Sequence, residues 1–222
     1  ELPFMTQGAG PASCAYWKMF ESHMKDADFK DVHIIGTWVH GPGLIHANKE
    51  IRTPTDLDGV KIRGGSRVVN QLLEKLGATP VGMPVPAVSE ALSKGVIDAT
   101  TIPWEVTASL KVPEWVKNHT EFTGGALYNI TFVLAMNKAK YDGLSAEAKA
   151  AIDAHSGLDF SIFAGKTQEG ADGPAREAAV ALGNNIVTLT EAETQIWRDT
   201  AQPIYASWIA DMQTKGIDGA AL

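Results

Sequence analysis

The spacing of apolar positions changes several times along the chain, and each change predicts an element. Between Pro11 and Met24, the residues Tyr16, Met19, Phe20 and His23 recur at the three- and four-residue spacing of a helix face. Asp31 to Val39 is rich in β-branched and aromatic residues and predicts a strand, which His40-Gly41-Pro42-Gly43 breaks. Leu44 to Ile51 predicts a weaker extended segment. The stretch Thr53 to Gly65, TPTDLDGVKIRGG, organises the chain around it. Pro54, Asp56, Asp58 and Gly59 are turn residues, and Val60-Lys61-Ile62-Arg63 alternates apolar and basic as a short half-buried strand does. Ser66 then caps a helix that presents Val68, Val69, Leu72, Leu73 and Leu76 on one face, with Gly77 just past its end.

Strand and helix signals go on alternating. Ala78 to Met83 reads as a strand, Val88, Ala91 and Leu92 as a helix face stopped by Gly95, and Val96 to Ile102 as another strand. Pro103-Trp104-Glu105 opens a helical turn. Glu121 to Met136 holds apolar residues so densely that it predicts buried strands around Gly124-Gly125. Ser145 caps a helical run towards Leu182, where Gly157, Gly165, Gly170 and Gly173-Pro174 predict a bend. Ile186 to Leu189 reads as a strand, and Thr190 with Glu193 forms a capping box for a last helix to Lys215. The alternation predicts an α/β fold with mostly parallel sheets.

Composition narrows the function classes. A net charge of -7 over 222 residues argues against a nucleic-acid partner, which would call for a basic surface. No apolar run approaches the roughly 18 residues of a membrane span; no signal peptide is read in this sequence, and the abrupt opening Glu1-Leu2-Pro3-Phe4 is expected to reflect a removed leader or a truncated start. The lone Cys14 reads as a small buried side chain rather than a nucleophile.

Candidate chemistry centres on Arg63. It stands at the carboxyl end of a predicted strand, before Gly64-Gly65 and the start of a helix, where ligands bind in open α/β sheets. A guanidinium there can hold a carboxylate through two parallel hydrogen bonds. Trp104 offers a flat wall, with a core tryptophan as the competing reading. Glu105 beside an anion site suits a solute hydroxyl or amine, or a bridging cation, although a hard cation needs several oxygen ligands and only Glu105 and backbone carbonyls are at hand. No cofactor and no metal is expected. Nucleophile-elbow, phosphate-loop and dinucleotide motifs are absent, and an enzyme is not expected.

The ordered set Asp56-Leu57-x-Gly59-x-Lys61-Ile62-Arg63, Leu76-Gly77-Ala78-x-Pro80-Val81, Glu90-Ala91-Leu92-x-x-Gly95-Val96-Ile97-Asp98 and Pro103-Trp104-Glu105 resembles the solute-binding proteins of TRAP transporters, the DctP family. The resemblance extends over nearly the whole chain. It implies a periplasmic-binding-protein-like architecture of two lobes, a cleft between them and a long spanning helix that starts at Ser145. Residues 1–39 would belong to lobe 1, 40–128 to lobe 2 with the clamp, 129–168 to lobe 1 strands and the start of the spanning helix, and 169–222 to helices packing across the lobes. The implied site comprises Arg63, Gly65, Val85, Trp104, Glu105, Tyr128, Asn129 and His40. Many members carry a second arginine about 20 residues before the first; here that region is His40-Gly41-Pro42-Gly43, leaving His40 or His46 to supply weaker hydrogen bonds. Members are usually longer, so a fragment lacking part of lobe 1 is expected, with possible self-association through the exposed face. The implied role is a periplasmic receptor that passes a small organic acid to membrane permease subunits; a ligand-sensing domain of the same fold is the alternative.

Overall fold

The computed structural model describes residues 1–221. The chain starts with helix α1 (Ala9–Met19), prolonged by a wider helical turn over Phe20–Met24. Cys14, on α1, is half-buried rather than enclosed. Strand β1 (Val32–Val39) pairs antiparallel with β7 (Thr131–Asn137) in a two-stranded ribbon. Two hydroxyls fasten β1 to the helices beside it. Ser13 Oγ of α1 accepts from the Val39 amide at 3.1 Å, and Ser161 Oγ of α8 (Leu158–Glu169) accepts from the Thr37 amide at 3.0 Å.

The larger body is a six-stranded sheet. Its strands are β2 (Leu44–Ala47), β3 (Lys61–Gly64), β4 (Thr79–Gly82), β5 (Ala99–Ile102), β6 (Asn118–Glu121) and β8 (Asn185–Thr188), in the order β4-β3-β5-β2-β6-β8. β3 runs parallel to β4 and β5, and β6 runs parallel to β8; β2 is antiparallel to both its neighbours. Helix α2 (Arg67–Lys75) forms as its pattern predicts. Ser66 Oγ accepts from the Val69 amide, Val69, Leu72 and Leu73 are buried, and Gly77 takes a φ of +94° that permits the sharp exit. These side chains join Ile45, Ile62 and Trp197 in the main core. Helices α3 (Val88–Ser93), α4 (Trp104–Ser109) and α5 (Val112–Trp115) enclose a second core around Val88, Ile97 and Val112.

Three expectations need correcting. The segment from Leu44 is no weak extension: β2 is buried at every position in mid-sheet, because both its edges are paired. The dense run from Glu121 to Met136 does not form two buried strands. β6 ends at Glu121, an irregular stretch buries Leu127 and Tyr128, and β7 is largely exposed, with Leu134 at 41%. Apolar density misled because β7 pairs with β1 alone among the described strands. The run after Ser145, where a bend was expected, is three helices: α7 (Ala146–Ala154), α8 and α9 (Asp172–Ala181). Gly157 breaks the first junction at a φ of +91°, and Gly170-Ala171 forms the second. Between β7 and α7 lies α6 (Lys138–Asp142).

The long helix is instead α10 (Glu191–Thr214), of 24 residues, started by the expected Thr190–Glu193 capping box. Trp197, Ala201 and Ile204 enter the main core, and the Trp197 indole donates to the Arg52 carbonyl at 3.0 Å. The second half of α10 lines an apolar cavity of about 480 Å³ with Trp208 and Ile209, opposite Ala12, Tyr16 and Val39. Pro203, which has no amide hydrogen to donate, stands between the two halves.

Candidate functional site

Arg63 lies on β3 at its carboxyl end and is only 5% exposed. Its Nε donates to the Met83 carbonyl and its Nη1 to the Thr101 carbonyl, each at 3.2 Å. The strand order explains this grip. Both flanking strands run parallel to β3, so the end of β5 and the exit from β4 present carbonyls to the same side chain. A guanidinium has five N–H donors, and two are spent. Among the described residues no carboxylate lies within ion-pair distance of it. Burial lowers the Arg63 pKa from its ordinary value, while the nearby Tyr128 raises it.

Tyr128 is 1% exposed, and burial pushes its hydroxyl up to about 12, so it stays protonated beside the arginine. Its ring covers Gly43, where any side chain would collide with it, and meets the His40 ring edge-on at 5.7 Å. Gly65, in the turn after β3, is exposed, and a β-carbon built there would stand 3.3 Å from both Nη1 and Nη2 of Arg63. Val85 is half-buried, two residues beyond the Met83 carbonyl that holds the guanidinium. Arg63, Gly65 and Tyr128 thus stand around one strand end.

The remaining sequence candidates are committed elsewhere. His40 is buried, Nδ1 faces the Gly41 carbonyl, and Nε2 accepts from the Ile130 amide at 3.0 Å. Both ring nitrogens are therefore used by backbone, and burial lowers its pKa to about 4, so His40 is neutral and no substitute for a second cation. Asn129 donates to the His40 and Gly41 carbonyls at 2.8 and 3.1 Å and accepts from the Thr6 hydroxyl. It ties the two chain crossings between ribbon and sheet. Trp104 takes the core role: it is 4% exposed, packs with Leu44, Ala175 and Ala179, and donates through Nε1 to Glu121 at 3.0 Å. Glu105 accepts from Gln168 Nε2 at 2.6 Å, and its amide donates to Asp172 at 2.8 Å, which joins α4 to the α8–α9 junction. Burial raises the Glu105 pKa, and burial with the neighbouring Glu105 and Glu169 charges raises Asp172 to about 7.

His46 sits opposite His119 across β2 and β6, with their Nδ1 atoms 2.7 Å apart. His46 Nε2–H donates to the Ile102 carbonyl at 3.1 Å, so its Nδ1 accepts from His119. Burial lowers these pKa values to about 3 and about 4, and both rings are neutral. No local pattern signals this pair, the Thr101 carbonyl or Asp172; each depends on contacts across the sheet or between helices far apart in the chain. Among the described residues no group of three or more His, Cys, Asp or Glu side chains is placed to hold a metal ion.

The six-stranded mixed sheet with helices around it is the α/β architecture of solved TRAP solute-binding proteins. Residues 1–211 match the model of the bacterial extracellular solute-binding protein family 7, DctP, and the chain belongs to that family. A TRAP solute-binding protein from Rhodoferax ferrireducens T118, solved with copurified benzoate, is 44% identical with a TM-score of 0.97, over 100% of this chain and 69% of that one. A marine metagenome TRAP solute-binding protein specific for aromatic acid ligands, solved with metahydroxyphenylacetate, is 41% identical with a TM-score of 0.96, over 100% of this chain and 70% of that one. The outer membrane transporter protein TsaT of Comamonas testosteroni is 27% identical over 99% of this chain, and the chain spans 65% of that relative's length. No helix among the described residues is long and apolar enough to cross a membrane.

Proposed function

We propose that this chain acts in the periplasm as the receptor of a TRAP transporter, without enzymatic activity, binding a small aromatic monocarboxylate and passing it to the membrane permease subunits. Arg63 grips the carboxylate, Tyr128 and Val85 shape the space beside it, and the ribbon and sheet bodies act as two lobes that close over the solute. One observation carries the reading: Arg63 is a buried cation whose partners among the described residues are two neutral carbonyls. A buried charge without a counter-ion is costly, and an arriving carboxylate removes that cost while using the unspent donors. The aromatic body is suggested by the relatives solved with benzoate and metahydroxyphenylacetate. The monocarboxylate preference is suggested by His40, whose two ring nitrogens are engaged by the Gly41 carbonyl and the Ile130 amide and so offer nothing to a second carboxylate.

Titration calorimetry with benzoate, 3-hydroxybenzoate and succinate, on this chain and on the full-length product of its gene, tests the reading. Aromatic acids are expected to bind, succinate far more weakly, and Arg63→Ala to abolish binding. Benzoate affinity unchanged in Arg63→Ala removes the clamp from the mechanism.

A further inference from the structure

We infer that Gln168 is a brace between the ribbon and sheet bodies, and that this brace favours the closed arrangement and so sets how long a bound acid is retained. The inference rests on the receptor reading above. Gln168 lies in the last turn of α8, the helix that packs on α1 and β1. Its side-chain amide reaches in two directions. Oε1 accepts from the Trp38 indole of β1 at 2.8 Å, and Nε2 donates to Glu105 Oε1 of α4 at 2.6 Å. The amide cannot be turned round, because an indole nitrogen only donates and a carboxylate only accepts. Trp38 is fixed within the ribbon, its ring stacked on Phe132 and edge-on to Phe160. Glu105 is fixed within the sheet body: its amide donates to Asp172 of α9, and the adjacent Trp104 shares a core with Leu44 of β2. One side chain therefore joins the two bodies in addition to the backbone that runs between them.

The contact suits a joint that must also release. Glu105 is half-buried. Among the described residues no cation pairs with it, and Gln168 is the one side chain that donates to its carboxylate. A neutral donor makes a hydrogen bond strong enough to favour one arrangement without the heavy cost of breaking a buried ion pair. The relative solved with copurified benzoate has the same arrangement of the two bodies, at a TM-score of 0.97. The brace is thus made in an arrangement that can hold a solute. Opening carries α8 away with the ribbon and leaves α4 with the sheet, which parts the amide from Glu105 and lets water reach the carboxylate. Weakening the brace then lowers the population of the closed arrangement, and bound acid leaves sooner.

The test compares the full-length wild type with Gln168→Glu, the paired swap Gln168→Glu plus Glu105→Gln, Trp38→Phe and Arg63→Ala. Benzoate association and dissociation rates are measured by stopped-flow, with the melting temperature recorded for each variant. Gln168→Glu keeps an acceptor for Trp38 and sets a carboxylate against Glu105. Its dissociation rate is expected to rise about tenfold, with association within about twofold of wild type. The paired swap again places a donor opposite an acceptor, and dissociation is expected to return to within about threefold of wild type. Trp38→Phe keeps the ring and removes one of the two hydrogen bonds, for an expected rise of about threefold. Wild-type dissociation in Gln168→Glu, whatever its melting temperature, marks Gln168 as packing alone and overturns the brace. A rise that the paired swap fails to reverse overturns it too. If Gln168→Glu does not fold, wild-type dissociation in Trp38→Phe has the same force. In each of these cases loss of binding in Arg63→Ala leaves the receptor reading standing. A wild type that binds neither benzoate nor 3-hydroxybenzoate brings down the receptor reading and the brace with it.

Discussion

Arg63 shows what a single residue can disclose before a fold is known. Its place after an alternating strand and before two glycines marks it, and the structure holds its guanidinium by two backbone carbonyls. Lysine at this position would keep the charge and lose the planar fork. Arg63→Lys is expected to cost roughly one charge-assisted hydrogen bond, about 1.5–3 kcal/mol, or roughly ten- to a hundredfold in Kd by calorimetry. An affinity within about a factor of two of wild type would mean that a point charge suffices. His40, Asn129 and Trp104 are legible as residues near a loop and illegible as to role. Their partners lie far away in sequence: Ile130 for His40, Thr6 for Asn129, Glu121 for Trp104. A side chain's hydrogen-bonding capacity can be read from a sequence, and what satisfies it cannot.

Elements announced by local chemistry are legible. α2 carries its cap, stripe and stop within one short window, and α10 carries its capping box. Thr190→Ala removes one member of that box and is expected to cost about 0.5–2 kcal/mol in denaturant unfolding, with solute affinity intact. Elements defined by pairing are harder. β6, Asn-His-Thr-Glu, looks like a polar loop, yet it lies between two strands and buries His119 and Thr120. Packing between helices is equally hidden. Gly165 of α8 faces the Ala9 carbonyl and the Ser13 side chain of α1, with no room for a methyl group. Gly165→Ala is expected to destabilise by about 1–3 kcal/mol through overpacking, even though alanine favours helix in isolation. A higher melting temperature in that variant would show that propensity outweighs the crossing.

Across the whole molecule, buried titratable groups set the response to acid. His40, His46 and His119 have folded-state pKa values of about 4, 3 and 4, below the unfolded value of about 6.5. As pH falls below 6.5 the unfolded chain takes up protons that the folded chain refuses, and each group withdraws stability by up to about 1.4 kcal/mol per pH unit. Asp172 acts in the opposite sense: its value is raised to about 7, so the folded state binds its proton first and gains stability as pH drops from 7 towards 3.8. Three groups outweigh one, and the melting temperature is expected to fall between about pH 6.5 and 4, less steeply in His119→Gln. A flat or rising profile would count against the neutral histidine pair. The same arrangement gives the molecule an internal optical reporter. The Trp104 indole lies 4.9 Å from the His119 ring and 5.0 Å from His46. A neutral imidazole leaves indole emission bright, and an imidazolium quenches it. Trp104 therefore glows while the sheet interior stays closed to protons and dims when acid enters, so no dye is needed to watch the first step of acid opening.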